Sequence, residues 1–239
     1  MHLRDKVVII TGASAGLGAQ FSKDLASEGA RVFGLARRTE RLNELAADIG
    51  PAFTGITCDI TQESMVQNAI QQLLDTAGRI DVLVNNAGLG KFGPADDVSL
   101  EEWSLQMDVN LKGVFLSTRA VLPVMKQQNA DTGFGGHIVN IASVAGLMGN
   151  PNISTYNATK FGLRGYSEAL FKEVRQDGIK VSCFYPGSIR TEFFDEAGIP
   201  ISANPMTPED ISSTLVHVLK TPDNYLISEI VMRPLRPGG

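Results

Sequence analysis

Tyr156 and Lys160 stand four positions apart in the stretch "STYNATK", residues 154–160. On a helix, four residues make slightly more than one turn, so a phenol and an ammonium at that spacing leave the same face and reach one small volume. A phenol beside a fixed cation is a better acid, because positive charge favours the phenolate. The plainer alternative is an incidental polar pair on a solvated helix face, since so short a motif is weak by itself. The rest of the chain has to choose between them.

A second cluster sits near the start. The stretch "TGASAGLG", residues 11–18, sets Gly12, Gly16 and Gly18 between the apolar run "KVVIITG" and a helical pattern. Glycines in that context bend the chain sharply and bring bare backbone, here also that of Ser14, Ala15 and Leu17, near a pyrophosphate at the positive end of a helix. A tight turn with no ligand is the competing reading. The glycine spacing also differs from the common dinucleotide fingerprint. In that mode of binding, an acid at the end of the second strand would hold the ribose hydroxyls of NAD. This strand ends "GLARR", with Ala36 in the acidic position followed by Arg37 and Arg38. Two guanidinium forks suit a 2′-phosphate, so NADP is favoured over NAD. The alternative is a solvated basic pair, although a helix N-terminus is already positive and a poor place for one.

The elements that must position these residues are legible as seven short apolar runs: "KVVIITG", "ARVFGLA", "FTGITCDI", "IDVLVNNAG", "GHIVNIAS", "KVSCFYPG" and "SEIVMRP". Runs without polar alternation predict strands covered on both faces, and the intervening segments are long enough for crossover helices. The expected fold class is α/β, a Rossmann-type, doubly wound parallel sheet of about seven strands with helices on both faces. Helices are predicted near 16–28, 38–49, 62–77, 99–128, 155–176 and 208–219. No linker, repeat or low-complexity tract divides residues 1–239, so one domain is expected. Residues 188–207, with Gly198, Pro200 and Pro205 and no sustained period, read as a mobile flap. Its Phe193, Phe194, Ile199, Ile201 and Met206 suit either an apolar pocket wall or core and contact positions.

A hydrophobic fraction of 43% over 239 residues permits a well-buried core. The net charge of -5 and absence of a long basic run argue against a nucleic-acid partner. Cys58 and Cys183 lie inside strand-like runs and read as buried, reduced thiols, which makes a cytoplasmic setting the expectation. Neither an export signal nor a membrane-spanning stretch is apparent.

Taken in order, the pieces "TGASAGLG", "CDI" (58–60), "NNAG" (85–88), "DVNLKG" around Asn110, "NIASVAG" around Ser143, "YNATK" and "PGSIRT" (186–191) resemble the compact short-chain dehydrogenase/reductases over essentially the whole chain. "LARRTERL" and the ending "EIVMRP" look most like NADP-dependent members acting on small carbonyls. The resemblance implies that Asp59, with the backbone of Ile60, reaches the adenine. It also implies that Asn86, Ala87 and Gly88 line the adenosine ribose. Pro186, Gly187, Ile189 and Thr191 would contact the nicotinamide and the phosphates. Lys160 would hold the nicotinamide ribose, and Asn110 would keep a water in a proton relay. Read from the residues alone, the alternatives are a strand-ending turn for "NNAG", a chain reversal for Pro186–Gly187, and a polar residue in a helix for Asn110.

Hydride transfer to a carbonyl leaves negative charge on oxygen, which calls for a hydrogen-bond donor and an acid. Ser143, just beyond the fifth strand, and Tyr156 supply them, while Ser143 alone could be a turn or capping hydroxyl. The expected activity is an NADP(H)-dependent oxidoreductase acting on a small carbonyl or alcohol. The competing readings are a 3-oxoacyl thioester reductase, an NAD-bound epimerase or dehydratase, and an idle NADP-binding regulator. By analogy with the family a homotetramer or dimer is expected.

Overall fold

The computed structural model describes residues 1–197 and 201–236. Gly198, Ile199 and Pro200 of the predicted flap, and the side chain of Phe194, lie outside the described residues. All seven predicted strands form: β1 (Val7–Thr11), β2 (Arg31–Ala36), β3 (Phe53–Thr57), β4 (Val82–Asn85), β5 (Gly136–Ile141), β6 (Ile179–Pro186) and β7 (Glu229–Met232). They make one parallel sheet in the order β3-β2-β1-β4-β5-β6-β7. The winding direction reverses between β1 and β4, and in such sheets ligands bind at the carboxyl edge beside that reversal.

Eight α-helices are described: α1 (Gly16–Ser27), α2 (Thr39–Ile49), α3 (Glu63–Ala77), α4 (Leu100–Met107), α5 (Gly113–Thr132), α6 (Ser154–Val174), α7 (Glu192–Ala197) and α8 (Pro208–Leu219). Alternate residues of each central strand feed different cores, as the pleat requires. Val8, Ile10 and Val84 pack with Phe21 of α1, Leu42 of α2 and Leu215 of α8. Val7, Ile9 and Leu83 pack with Leu73 of α3, Val121 of α5 and Leu170 of α6. The sheet is therefore covered on both sides, which is why its strands read as unbroken apolar runs.

Two expectations need correction. The helix predicted over 99–128 is interrupted: a π-helical segment, Asp108–Lys112, joins α4 to α5, and the run continues to Thr132. Periodicity could not reveal this, because one widened turn changes the hydrogen-bond pattern while leaving a helical sequence pattern on either side. The flap predicted as irregular contains α7, and its ends are tied together. The Arg190 N–H donates to the Met206 carbonyl at 2.9 Å, and the Met206 N–H donates to the Ser188 carbonyl at 3.0 Å.

Candidate active site

One cavity of about 790 Å³ runs along the carboxyl edge of β1, β2, β4, β5 and β6. Every candidate catalytic or cofactor-binding residue read from the sequence lines it, except Gly18 and Asn110. Gly12 and Gly16 have φ of +68° and +52°, the left-handed region that a side chain disfavours. A Cβ on Gly18 would stand 2.2 Å from the Gly12 carbonyl oxygen, so this third glycine lets α1 pack against the turn and does not face the cavity. The first turn of α1 has no side-chain cap, so its N–H groups are left for a ligand in the cavity.

The turn is clamped to the strand beside it. Thr11 Oγ1 accepts from the N–H groups of Asn86 and Ala87, both at 3.1 Å, while Asn86 Nδ2 donates to the carbonyls of Thr11 and Gly12 at 3.0 and 3.3 Å. The "NNAG" turn thus fixes the glycine turn from across the winding reversal. Asp59 Oδ1 accepts from the Thr61 N–H and hydroxyl, which holds its carboxyl group at the cavity wall. Arg38 donates to Ser14 Oγ from Nε and Nη2 at 3.3 and 3.2 Å, joining the basic pair to the glycine turn. With these features the residues present fit a dinucleotide bearing an extra phosphate.

At the opposite end lie Ser143, Tyr156 and Lys160. Ser143 follows β5 and caps a 3₁₀ turn, Val144–Gly146, by accepting the Ala145 N–H at 3.1 Å. Added to Gly146, a Cβ would meet the Lys160 carbonyl at 2.7 Å, so the turn can press against α6 only because that residue is glycine. Asn157 secures the same contact from α6, donating to the carbonyls of Ala145 and Met148. Neither Gly146 nor Asn157 was identified from the sequence, although "SVAGL" beside a serine and an asparagine next to the tyrosine were available signals.

Tyr156 is only 8% exposed, because Phe92 and Phe193 cover its ring at centroid distances of 5.3 and 5.8 Å. Phe92 was also missed; it falls in the loop after "NNAG", where no period marks it. Of the flap's apolar residues, Phe193 lines the cavity, Met206 packs on the core and Ile201 is at the surface. Lys160 is 4% exposed and donates from Nζ to the Ile141 carbonyl at 3.0 Å; the same Nζ lies 5.5 Å from the Tyr156 ring centroid. Burial pushes the phenol up to about 12, against which a hydrogen bond with Ser143 acts. It also pushes the ammonium down to about 8. The expectation of a phenol made more acidic by its lysine is therefore not met by the chain alone: desolvation outweighs a cation held toward the ring and a backbone carbonyl.

Asn110 does not line the cavity. It is fully buried in the π-helical segment, accepts the Leu89 N–H at 2.9 Å, and donates to the Leu89 carbonyl and Thr159 Oγ1 at 2.8 and 3.1 Å. Both amide hydrogens are thus committed to the protein. Thr159 in turn donates to the Tyr156 carbonyl at 2.8 Å, so Asn110 ties the "NNAG" loop to the first turn of α6. A widened turn is a common way to aim such a side chain.

A glycine turn clamped at a winding reversal, with a serine, a tyrosine and a lysine closing the far end of one cavity, defines a dinucleotide-binding oxidoreductase architecture. The short chain dehydrogenase family model matches residues 6–199, and the chain belongs to that family. It is 35% identical over 238 residues to the serine 3-dehydrogenase of Agrobacterium fabrum, covering 95% of this chain and 93% of the relative. Among solved structures it resembles a 3-ketoacyl-(acyl-carrier-protein) reductase from Brucella melitensis complexed with NADH, at TM-score 0.90 and 30% identity over 97% of this chain and 98% of the other. It also resembles the closed form of serine dehydrogenase complexed with NADP+, at TM-score 0.86 and 31% identity over 95% and 94% of the two chains.

Proposed function

We propose that this protein is an NADP(H)-dependent oxidoreductase that interconverts a small carbonyl and its alcohol, with Tyr156 as the acid. The observation that carries this reading is one continuous cavity with the Arg37–Arg38 pair and Ser14 at one end and Ser143, Tyr156 and Lys160 at the other. Gly12, Ser14, Ala15, Gly16 and Leu17 would hold the pyrophosphate, and Arg37 and Arg38 the 2′-phosphate. Asp59 and Ile60 would meet the adenine, with Asn86, Ala87 and Gly88 at its ribose. Pro186, Gly187, Ile189 and Thr191 would lie along the nicotinamide half. When bound in reduced form, that group supplies the hydride.

The chain's own residues then handle the oxygen and the proton. Ser143 and Tyr156 donate hydrogen bonds to the substrate oxygen as charge develops there, and Tyr156 gives up its phenolic proton. With the phenol held near 12, it is protonated at neutral pH, the form needed for reduction. Lys160, charged below about 8, stabilises the phenolate that remains. Asn110 acts as a positioning residue through Leu89 and Thr159.

The second reading, reduction of a 3-oxoacyl thioester, is favoured by the likeness to the 3-ketoacyl reductase; the likeness to serine dehydrogenases favours a short hydroxy acid. The apolar cover of Phe92 and Phe193 over Tyr156 suits the acyl chain of the former better than a short, charged hydroxy acid. Cys58 and Cys183 are buried free thiols, as suits a reducing cytoplasm, and among the described residues no helix is long and apolar enough to cross a membrane. Exposed Trp103, Phe115 and Phe161 on α4, α5 and α6 would serve as contacts between copies.

The test is NADPH oxidation, followed by absorbance, across ketones, aldehydes, short oxo acids and 3-oxoacyl thioesters. Turnover of at least one class is expected. Tyr156→Phe should lose on the order of 10²–10⁴ in kcat while binding NADPH as tightly as wild type. Turnover by that variant at the wild-type rate would defeat the assignment.

A further inference from the structure

Glu192, the first residue of α7, reaches across the cavity mouth to the basic cluster after β2. Its Oε2 accepts from Arg41 Nη1 at 2.7 Å and lies 3.9 Å from Arg38 Nη1. Arg38 is the residue that also donates to Ser14 in the glycine turn, and both Arg38 and Glu192 line the cavity. A carboxylate of this chain therefore already rests on Arg41 and stands within ion-pair range of Arg38, one of the two arginines proposed for the adenosine 2′-phosphate.

We infer that Glu192 and Arg41 set the NADP-to-NAD preference of this protein: Arg41 is a further arginine for the 2′-phosphate, and Glu192 is the internal anion that the phosphate has to displace. The inference rests on the proposed use of NADP(H). Two anions cannot share the guanidinium groups without repulsion, because like charges a few ångströms apart disfavour each other even in a wet setting. A cofactor lacking the 2′-phosphate brings no competing charge and leaves the Glu192 pair in place. Glu192 thus lowers affinity for the phosphorylated cofactor alone, and the preference for NADP is smaller than the arginines by themselves would give. All three side chains are 40–52% exposed, so the competition is that of a screened surface pair and its size is modest.

The arrangement has a second reach. The residue after Glu192 is Phe193, whose ring lies 5.8 Å from that of Tyr156 and 6.1 Å from that of Phe92. The same short helix therefore touches the 2′-phosphate arginines with one residue and covers the phenol with the next.

The experiment measures binding of 2′-AMP and 5′-AMP, and of NADPH and NADH, to wild type, Glu192→Gln and Arg41→Met by calorimetry at low and high salt. Glu192→Gln should tighten 2′-AMP and NADPH about two- to fivefold, leave 5′-AMP and NADH within experimental error, and lose its advantage at high salt. Arg41→Met should weaken 2′-AMP and NADPH only. Unchanged NADPH affinity in Glu192→Gln, or equal gains for both cofactors, would overturn the inference. A wild type that binds 2′-AMP no better than 5′-AMP would instead remove the NADP reading beneath it.

Discussion

Replacing Lys160 by methionine should inactivate the protein and stabilise it at the same time. Burial lowers the ammonium from 10.5 to about 8. At about 1.4 kcal/mol per pKa unit, keeping this group charged in the folded state costs on the order of 3 kcal/mol at pH 7. Methionine removes that cost and fills similar volume, but the Ile141 carbonyl then loses its donor, which costs about 1–2 kcal/mol. The net expectation is a gain of about 1–2 kcal/mol, read as a rise of about 2–4 °C in Tm per kcal/mol for a chain of this size. The pH dependence fixes the cause. With the folded pKa below the unfolded one, the unfolded chain holds more protons between pH 8 and 10.5, so the lysine's penalty fades as pH rises through that window. Cys58, held near 11, and Cys183 change wild-type stability in the opposite sense over the same range, as their thiols ionise more readily once unfolded. The Cys58 effect cancels when variant and wild type are subtracted, whereas the Cys183 effect cancels only in part, because Lys160 lowers that thiol in the wild type alone. Denaturant unfolding of the cofactor-free proteins from pH 7 to 10.5 should show the variant ahead at pH 7 and behind at the top. A variant less stable at pH 7, or a gap that does not close, would refute the account of a lysine kept charged against burial for the sake of chemistry.

Two further outcomes follow from the cofactor end of the cavity. Changing Arg37 and Arg38 together to alanine should raise KM for NADPH at least tenfold in steady-state assays and KM for NADH far less, since a 2′-phosphate uses both guanidinium forks while NADH would feel only the loss of the Arg38 bond to Ser14. Gly18→Ala should weaken dinucleotide binding and lower Tm by thermal unfolding, because its Cβ would come within 2.2 Å of the Gly12 carbonyl and force α1 away from the turn. A Gly18→Ala protein with wild-type Tm and cofactor affinity would mean that the turn has slack the present packing does not display.

Much of this molecule is local in origin and so was written in the chain. β-branched runs buried on both faces, such as "KVVII" and "HIVNI", admit little besides central parallel strands, and the glycines at 12 and 16 mark backbone that only glycine adopts with ease. The spacing of Tyr156 and Lys160 follows from the helical repeat, and the helix is there. Other features depend on residues far apart in sequence. The π-helical turn that aims Asn110, the Asn86 clamp on the glycine turn and the Phe92–Tyr156–Phe193 cover each join segments with no mutual periodicity. The same holds for acidity. A sequence can show a lysine one turn from a tyrosine, but whether charge proximity or loss of water wins depends on how deeply the folded chain buries both groups, and that depth exists only once the helix has docked on the sheet.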